Sequence, residues 1–198
     1  MYKFLVCMWY DEEIKEYADI FRKINEKYCN ENGYDFFYCN KKYTDKPVSF
    51  NKIFMFKELL NNNQYYDYYL WIDADAHINR IDLRLETFIK HNEDKDFIWS
   101  GDITPNINSG IFFIKNTEFS KLFLSVWCAE TKTQNEDWWE QGVLTLMWVA
   151  DTMDIKKHSH CYRYGVLQSF TSHWDNFIFH MAGTNKNDRI KYAHSIKV

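Results

Sequence analysis

Apolar and polar positions follow two different periods along the first forty residues. Lys3 to Trp9 is an apolar run of the kind that predicts a buried strand. From Asp11 to Gly33 apolar residues recur at helical spacing, with acids in the first turn and a glycine stop. Tyr34 to Cys39 is a second apolar run. This order predicts a strand, a helix and a second, parallel strand, because a parallel pair needs such a crossover.

The same alternation of strand and helix patterns continues to the end of the chain. Helices are predicted from Ser49 through Leu60, from Asp82 through Ile89, from Thr117 through Trp127 and from Glu136 through Ala150. Strands are predicted at Tyr65–Ile78, Asp96–Asp102, 106–116, Tyr162–Leu167 and Trp174–His180. Ser49, Asp82 and Thr117 are the expected N-caps of their helices. Strands alternating with helices predict an α/β fold.

Composition narrows the class of protein. A chain of 198 residues can form one sizeable core but is short for two domains. The net charge of −4 argues against a nucleic-acid partner, which calls for a basic face. No apolar run is long enough to span a bilayer, and the first residues do not form a signal peptide. Five scattered cysteines predict reduced thiols in a cytoplasmic protein.

The most informative stretch is the strand that leads into Asp73-Ala74-Asp75. Two carboxylates one residue apart at the end of a strand repel each other unless a cation lies between them. Such oxygen ligands suit Mg²⁺ or Mn²⁺, which share their ligand shell with substrate phosphates. The stretch therefore suggests a metal–diphosphate site. The alternative at this point is an acidic turn solvated by water.

Other candidates depend on their position in the predicted sheet. Trp9 and Tyr10 follow the first strand, at the edge where open α/β sheets bind ligands, and could stack on a nucleotide base or simply pack. Gly110 in its strand would allow the backbone to approach a ligand closely. His158 and His160 lack a third ligand nearby, and we expect them to be exposed loop residues.

Four motifs, carried by five segments in order, resemble those of GT-A type nucleotide-sugar glycosyltransferases, specifically the galactosyl-, xylosyl- and mannosyltransferases of carbohydrate-active family 34. They are Phe50–Ile53, Tyr68–Ala76 with its Asp-x-Asp, Asn108–Asn116, Glu140-Gln141, and the closing His180-x-x-Gly183-x-x-Lys186, the first two forming one motif. The resemblance implies a single GT-A (Rossmann-like) domain over residues 1–198, with a central, mostly parallel sheet flanked by helices. Its nucleotide-binding half would be about 1–80, and its sugar donor and acceptor half about 81–198.

The resemblance also implies roles for individual residues. Asp73, Asp75 and His180 would hold the metal ion, and an imidazole among oxygens favours Mn²⁺ over Mg²⁺. Lys186 would add a positive charge on the diphosphate. Gln141, with Glu140 beside it, would lie under the anomeric carbon and stabilise an oxocarbenium-like transition state. Further contacts to the donor are implied for Lys52, Asp73, Asp102, Asn108, Ser109, Gly110 and Gly183.

The implied reaction moves a hexose or pentose from a nucleoside-diphosphate sugar, with UDP favoured over GDP, to a glycan or glycoprotein acceptor with retention of configuration. Members of the family usually carry an amino-terminal membrane anchor, which this sequence does not show, so a soluble cytoplasmic enzyme is expected. Three alternatives stay open: a phosphatase with an aspartate nucleophile, a nucleotide-sugar binding module without turnover, and a purely structural α/β domain.

Overall fold

The computed structural model describes residues 2–104, 106–130, 139–171 and 176–196. The strands are β1 (Phe4–Trp9), β2 (Asp35–Cys39), β3 (Tyr68–Ile72), β4 (Ala76–Ile78), β5 (Phe97–Gly101), β6 (Ile107–Lys115), β7 (Ser159–Tyr162), β8 (Gln168–Ser169) and β9 (Ile178–His180). The helices are α1 (Lys15–Asn32), α2 (Asn51–Asn62), α3 (Glu86–Ile89), α4 (Glu118–Ala129), α5 (Trp139–Val149) and α6 (Lys186–Ser195). No helix in these ranges has the length and apolar character needed to cross a membrane.

A central sheet has the strand order β2-β1-β3-β6-β5-β7. The strand β1 is parallel to both β2 and β3, and β5 is parallel to β7. Only β6 runs against its neighbours β3 and β5. The predicted α/β fold with a mostly parallel central sheet is therefore confirmed, and so is the parallel pair joined through the first helix.

Both faces of this sheet are covered, which explains why its strands are continuous apolar runs. Every residue of β1 is buried. Alternate residues Phe4, Val6 and Met8 enter the core on one face, where α1 packs. Leu5, Cys7 and Trp9 enter the second core, which contains residues of α2, α4 and α5. Helices on both faces therefore leave the strand ends as the accessible edge of the sheet.

A smaller sheet determines where the paired aspartates lie. The predicted strand Tyr65–Ile78 is interrupted, because the chain turns after Ile72 and the Ala76 amide donates to the Asp73 carbonyl at 3.0 Å. The strand β4 then joins a second sheet in the order β4-β9-β8. In its antiparallel pairing with β9, Ala76 lies opposite His180. The turn thus faces a residue that is distant in sequence.

Several local predictions need correction. Ser49 does not cap α2: it lies in a 3₁₀ turn, Val48–Phe50, and α2 begins at Asn51 without a side-chain cap. Asp82 likewise precedes α3 without capping it. The predicted strand Tyr162–Leu167 is mostly a turn between β7 and β8. By contrast, Thr117 caps α4 as predicted, accepting from the Ser120 amide.

The two histidines near β7 are not exposed, although His158 does lie in the turn before that strand. His160 lies within the strand, and both side chains are partly buried. The ring of His158 stacks on Phe119 with centroids 3.6 Å apart, and its Nδ1 is 2.6 Å from the Asp96 carboxylate. They are therefore packing residues. The predicted segments around Glu136–Trp138 and at Trp174 lie outside the described residues.

Candidate active site

The first carboxylate of the Asp-x-Asp turn has one oxygen held by the protein. Asp73 Oδ1 accepts from the Trp71 indole at 2.6 Å and from Lys52 Nζ at 3.1 Å. The backbone amide of Asp73 donates to the Gly110 carbonyl at 2.9 Å, which ties the turn to β6. The other oxygen, Oδ2, lies 3.8 Å from His180 Nε2. One oxygen is therefore fixed, and the other faces the imidazole.

The second carboxylate repeats this arrangement. Asp75 Oδ2 is paired with Arg189 Nη2 at 2.7 Å, while Oδ1 lies 3.2 Å from His180 Nε2. Burial alone would raise the pKa of Asp75, but the neighbouring His180 and Arg189 outweigh it and bring that pKa to about 2. Asp75 is thus an anion at neutral pH.

The imidazole of His180 is oriented by a residue from the neighbouring strand. Its Nδ1 is 2.6 Å from the Gln168 amide oxygen, so Nδ1 carries a proton and Nε2 faces the two carboxylates. Ligand atoms of Asp73, Asp75 and His180 all lie within 4.8 Å of one another. Two oxygens and one imidazole nitrogen, with an outer partner that fixes the tautomer, fit Mn²⁺ or Mg²⁺.

A glycine leaves the space that this arrangement needs. A Cβ atom at Gly110 would lie 2.3 Å from His180 Cε1 and 3.0 Å from Asp73 Oδ2. The first distance is shorter than any real Cβ contact and the second is a tight one, so a larger residue here would displace the histidine and crowd the aspartate. The close approach predicted for Gly110 therefore serves side chains of the candidate site itself.

A buried lysine connects the aspartate turn to α5. Lys52 is 3% exposed. Its Nζ donates to Glu140 at 2.8 Å and to the Ser109 carbonyl at 2.9 Å, besides Asp73. Burial would raise the pKa of Glu140, but the ammonium of Lys52 outweighs it and keeps that pKa below its usual value. Because three protein acceptors already surround its Nζ, Lys52 positions Asp73 and Glu140.

The remaining polar candidates on β6 and α5 form one network. Gln141 Oε1 accepts from the Ser109 amide at 3.0 Å, and the Ser109 hydroxyl donates to Glu140 at 2.9 Å. The Asn108 amide donates to Asp102 at 3.1 Å. Candidates from three segments, Asp102, Asn108-Ser109 and Glu140-Gln141, are thus held together beside the aspartate turn.

Two clefts share the wall formed by Ser49, Asp73, Asp75, Glu140 and Arg189. The smaller one, about 230 Å³, is also lined by Trp9, Tyr17 and Trp71. The larger one, about 700 Å³, is also lined by Asp102, Asn108, Ser109, Gln141, His180 and Gly183. Most of the predicted site residues are therefore brought together here.

Two of the predicted site residues, Tyr10 and Lys186, lie away from the clefts. The ring of Tyr10 is fully buried, stacks on Tyr38 and donates to Asp19, so it does not offer a face to a base. Lys186 is exposed on the first turn of α6 and donates to the Glu13 carbonyl, outside both clefts.

Among the charged residues that line the clefts, Arg189 was not predicted from the sequence. Arg189 lines both clefts, but it lies in a charged tail with weak periodicity, which gave no signal of a site.

A family model described as nucleotide-diphospho-sugar transferase matches residues 31–188, most of the chain. The chain belongs to this family. The match includes the Asp-x-Asp turn, Glu140-Gln141 and His180. Comparison with curated protein sequences finds no match for this transferase.

Solved structures show the fold of this transferase. A glycosyltransferase involved in glycosylation of the major capsid of PBCV-1 superposes with a TM-score of 0.79 at 16% identity, covering 98% of this chain and 100% of the other. The galactosyltransferase LgtC, solved with donor and acceptor sugar analogues, gives 0.62 at 11% identity, covering 98% and 96%. A mutant of Drosophila β-1,4-galactosyltransferase 7 with manganese, UDP-Gal and xylobiose gives 0.55 at 13% identity, covering 96% and 74%. The predicted GT-A glycosyltransferase fold is confirmed.

Proposed function

We propose that this transferase moves a sugar from a nucleoside-diphosphate sugar to an acceptor in a reaction that depends on a divalent metal ion. The observation that carries the proposal is the convergence of Asp73 Oδ2, Asp75 Oδ1 and His180 Nε2 in the lining of the larger cleft. These three atoms come from two segments about a hundred residues apart and face one small space. Packing alone does not require such an arrangement of two anions and an oriented imidazole.

The residues present fit a Mn²⁺ or Mg²⁺ ion, and the imidazole favours Mn²⁺. Such an ion would supply Lewis-acid chemistry, neutralising charge on the departing nucleoside diphosphate, an effect worth several kcal/mol. Asp73, Asp75 and His180 would hold the ion, and Lys52, Trp71 and Arg189 orient the two carboxylates by binding the oxygen of each that does not face His180.

The two clefts suggest separate places for the base and the sugar of the donor. The smaller, aromatic cleft suits the base, where stacking on Trp9 would contribute about 1–3 kcal/mol. The larger cleft suits the sugar and the acceptor, and Asp102, Asn108 and Ser109 offer polar atoms for sugar hydroxyls. UDP is the proposed carrier, supported by the neighbour that binds UDP-Gal.

For the chemical step we propose Gln141 and Glu140. Both line the larger cleft, and the anionic Glu140 adds negative charge beneath the position where an oxocarbenium-like centre would develop. Retention of configuration and a glycan or glycoprotein acceptor belong to the proposal, as do transfer of a hexose or pentose and a cytoplasmic location.

The test is a panel of UDP- and GDP-sugars, assayed for Mn²⁺-dependent hydrolysis and for transfer to simple glycosides. We expect activity with one UDP-sugar, loss on chelation, and loss in Asp75→Ala. Asp94→Ala is the matched control, since Asp94 is an exposed aspartate that pairs with Lys95 outside both clefts. Donor binding without turnover for every sugar tested would instead support a binding module.

A further inference from the structure

The two clefts carry more negative than positive charge. Their acidic lining residues are Asp73, Asp75, Asp102 and Glu140. Among the described residues, only Lys52 and Arg189 contribute a lysine or arginine side chain to either lining. The side chain of Lys52 is 4% exposed, whereas that of Arg189 is 22% exposed. A nucleoside diphosphate entering these clefts would therefore meet one partly accessible permanent cation.

The guanidinium of Arg189 is held by the protein, but not all of its hydrogen-bond donors have an acceptor. Its Nη2 donates to Asp75 and to the Met181 carbonyl, and its Nη1 donates to the Tyr17 hydroxyl at 3.3 Å. An arginine has five N–H donors. Two of them, including the buried Nε, have no acceptor among the described residues. The buried Nε is out of reach of a ligand, so the second Nη1 N–H is the donor that remains for an arriving anionic oxygen.

The position of Arg189 also relates it to the metal ligands. Its partner Asp75 presents Oδ1 to His180 and Oδ2 to the guanidinium. Only the Asp75 carboxylate separates the metal site from the guanidinium, so an anion bound beside it would contact both. Lys186, the lysine of the closing motif, donates to Glu13 on the surface and lines neither cleft.

We propose that Arg189 binds the diphosphate of the donor, in the place that the sequence motif gives to Lys186. The guanidinium suits a phosphate oxygen because it is permanently charged, is more weakly hydrated than an ammonium and keeps one Nη1 N–H without an acceptor among the described residues. This inference rests on the proposed function and adds to it the residue that binds the diphosphate.

Calorimetry at saturating Mn²⁺ tests the proposal, with UDP and GDP as diphosphate probes and uridine and guanosine as probes that lack phosphate. The variants are Arg189→Gln, Lys186→Gln and, as matched control, Lys191→Gln, which removes an exposed charge from the same helix. We expect Arg189→Gln to weaken diphosphate binding about 10- to 100-fold, the range of charge-assisted hydrogen bonds. Nucleoside affinity should not change, and the two lysine variants should stay within about threefold of wild type.

A purely structural role of Arg189 would lower nucleoside and diphosphate affinity together, and that result would overturn the proposal. So would a tenfold loss in Lys186→Gln with wild-type binding in Arg189→Gln, although the proposed function would then stand. If wild type binds neither UDP nor GDP, the proposed function itself fails.

Should Arg189→Gln fail to fold by circular dichroism, Arg189→Lys decides. It keeps the charge but loses the fork, and we expect a several-fold loss for diphosphates alone. Unchanged diphosphate affinity in Arg189→Lys would overturn the proposal.

Discussion

Replacing Gly110 by alanine tests whether the three candidate ligands depend on the close approach of β6. The new Cβ would lie 2.3 Å from His180 Cε1, whereas carbon atoms pack at about 3.5–4.0 Å. The ring or the strand must therefore move by more than about 1 Å. The backbone of Gly110 is not left-handed, so an alanine fits the strand itself. The collision with His180 is then the main consequence of the change.

The structure gives a magnitude for the effect. Metal–ligand distances tolerate only about 0.2 Å of change, and disturbing an outer partner of a ligand already costs about 10- to 100-fold in metal affinity. Displacing His180 directly should cost at least that much, or about 1.4–2.8 kcal/mol. A calorimetric titration with Mn²⁺ alone measures this loss of metal affinity. Circular dichroism and thermal unfolding establish that the variant is folded.

A second glycine provides the matched control. Gly33 ends α1 with φ of 73°, and a Cβ there would have no atom within 4 Å. Gly33→Ala should cost about 1–2 kcal/mol of stability through backbone strain and leave Mn²⁺ affinity unchanged. A folded Gly110→Ala variant with wild-type Mn²⁺ affinity would refute the reasoning, because the ligands would then not need this space.

Three further variants test single contacts of the site. Gln168→Ala removes the acceptor of His180 Nδ1 and should lower Mn²⁺ affinity about 10- to 100-fold; an unchanged titration would contradict the tautomer assignment. Gln141→Ala should lower kcat more than it weakens donor binding, and equal losses in steady-state kinetics and calorimetry would make Gln141 an ordinary binding contact. Lys52→Met leaves Glu140 and Asp73 without their counter-charge, so the free energy of unfolding should fall by about 3–5 kcal/mol. Urea unfolding in the presence of a chelator measures this change, and a fall below about 1 kcal/mol would show that the ion pairs contribute little.

The elements with strong periodicity could be predicted from the sequence. The strand β1 is a continuous apolar run because both of its faces are covered, and α1 ends at a glycine with the left-handed backbone that its stop signal predicted. Thr117 identified the start of α4, since its hydroxyl has a local partner in the Ser120 amide. These features depend on contacts within a few residues, which a sequence pattern records directly.

The errors arose where distant contacts decide the local structure. Tyr65–Ile78 reads as one strand, but β4 pairs with β9 in a different sheet, and only that partner makes the chain turn at Asp73. His158 was wrongly predicted to be exposed, because its partners, Asp96 and Phe119, come from other elements.

By itself, the sequence determined the α/β class, the Asp-x-Asp pair and the set of polar residues from which a donor site could be built. Hydrophobic period and residue chemistry suffice for these, because both are properties of short segments. Only the tertiary structure decided that His180 faces the two aspartates, that Lys52 is buried between Asp73 and Glu140, and that Arg189 lines the clefts while Lys186 does not. Such placements depend on strand register and helix packing between segments up to about a hundred residues apart, and no local pattern encodes those distances.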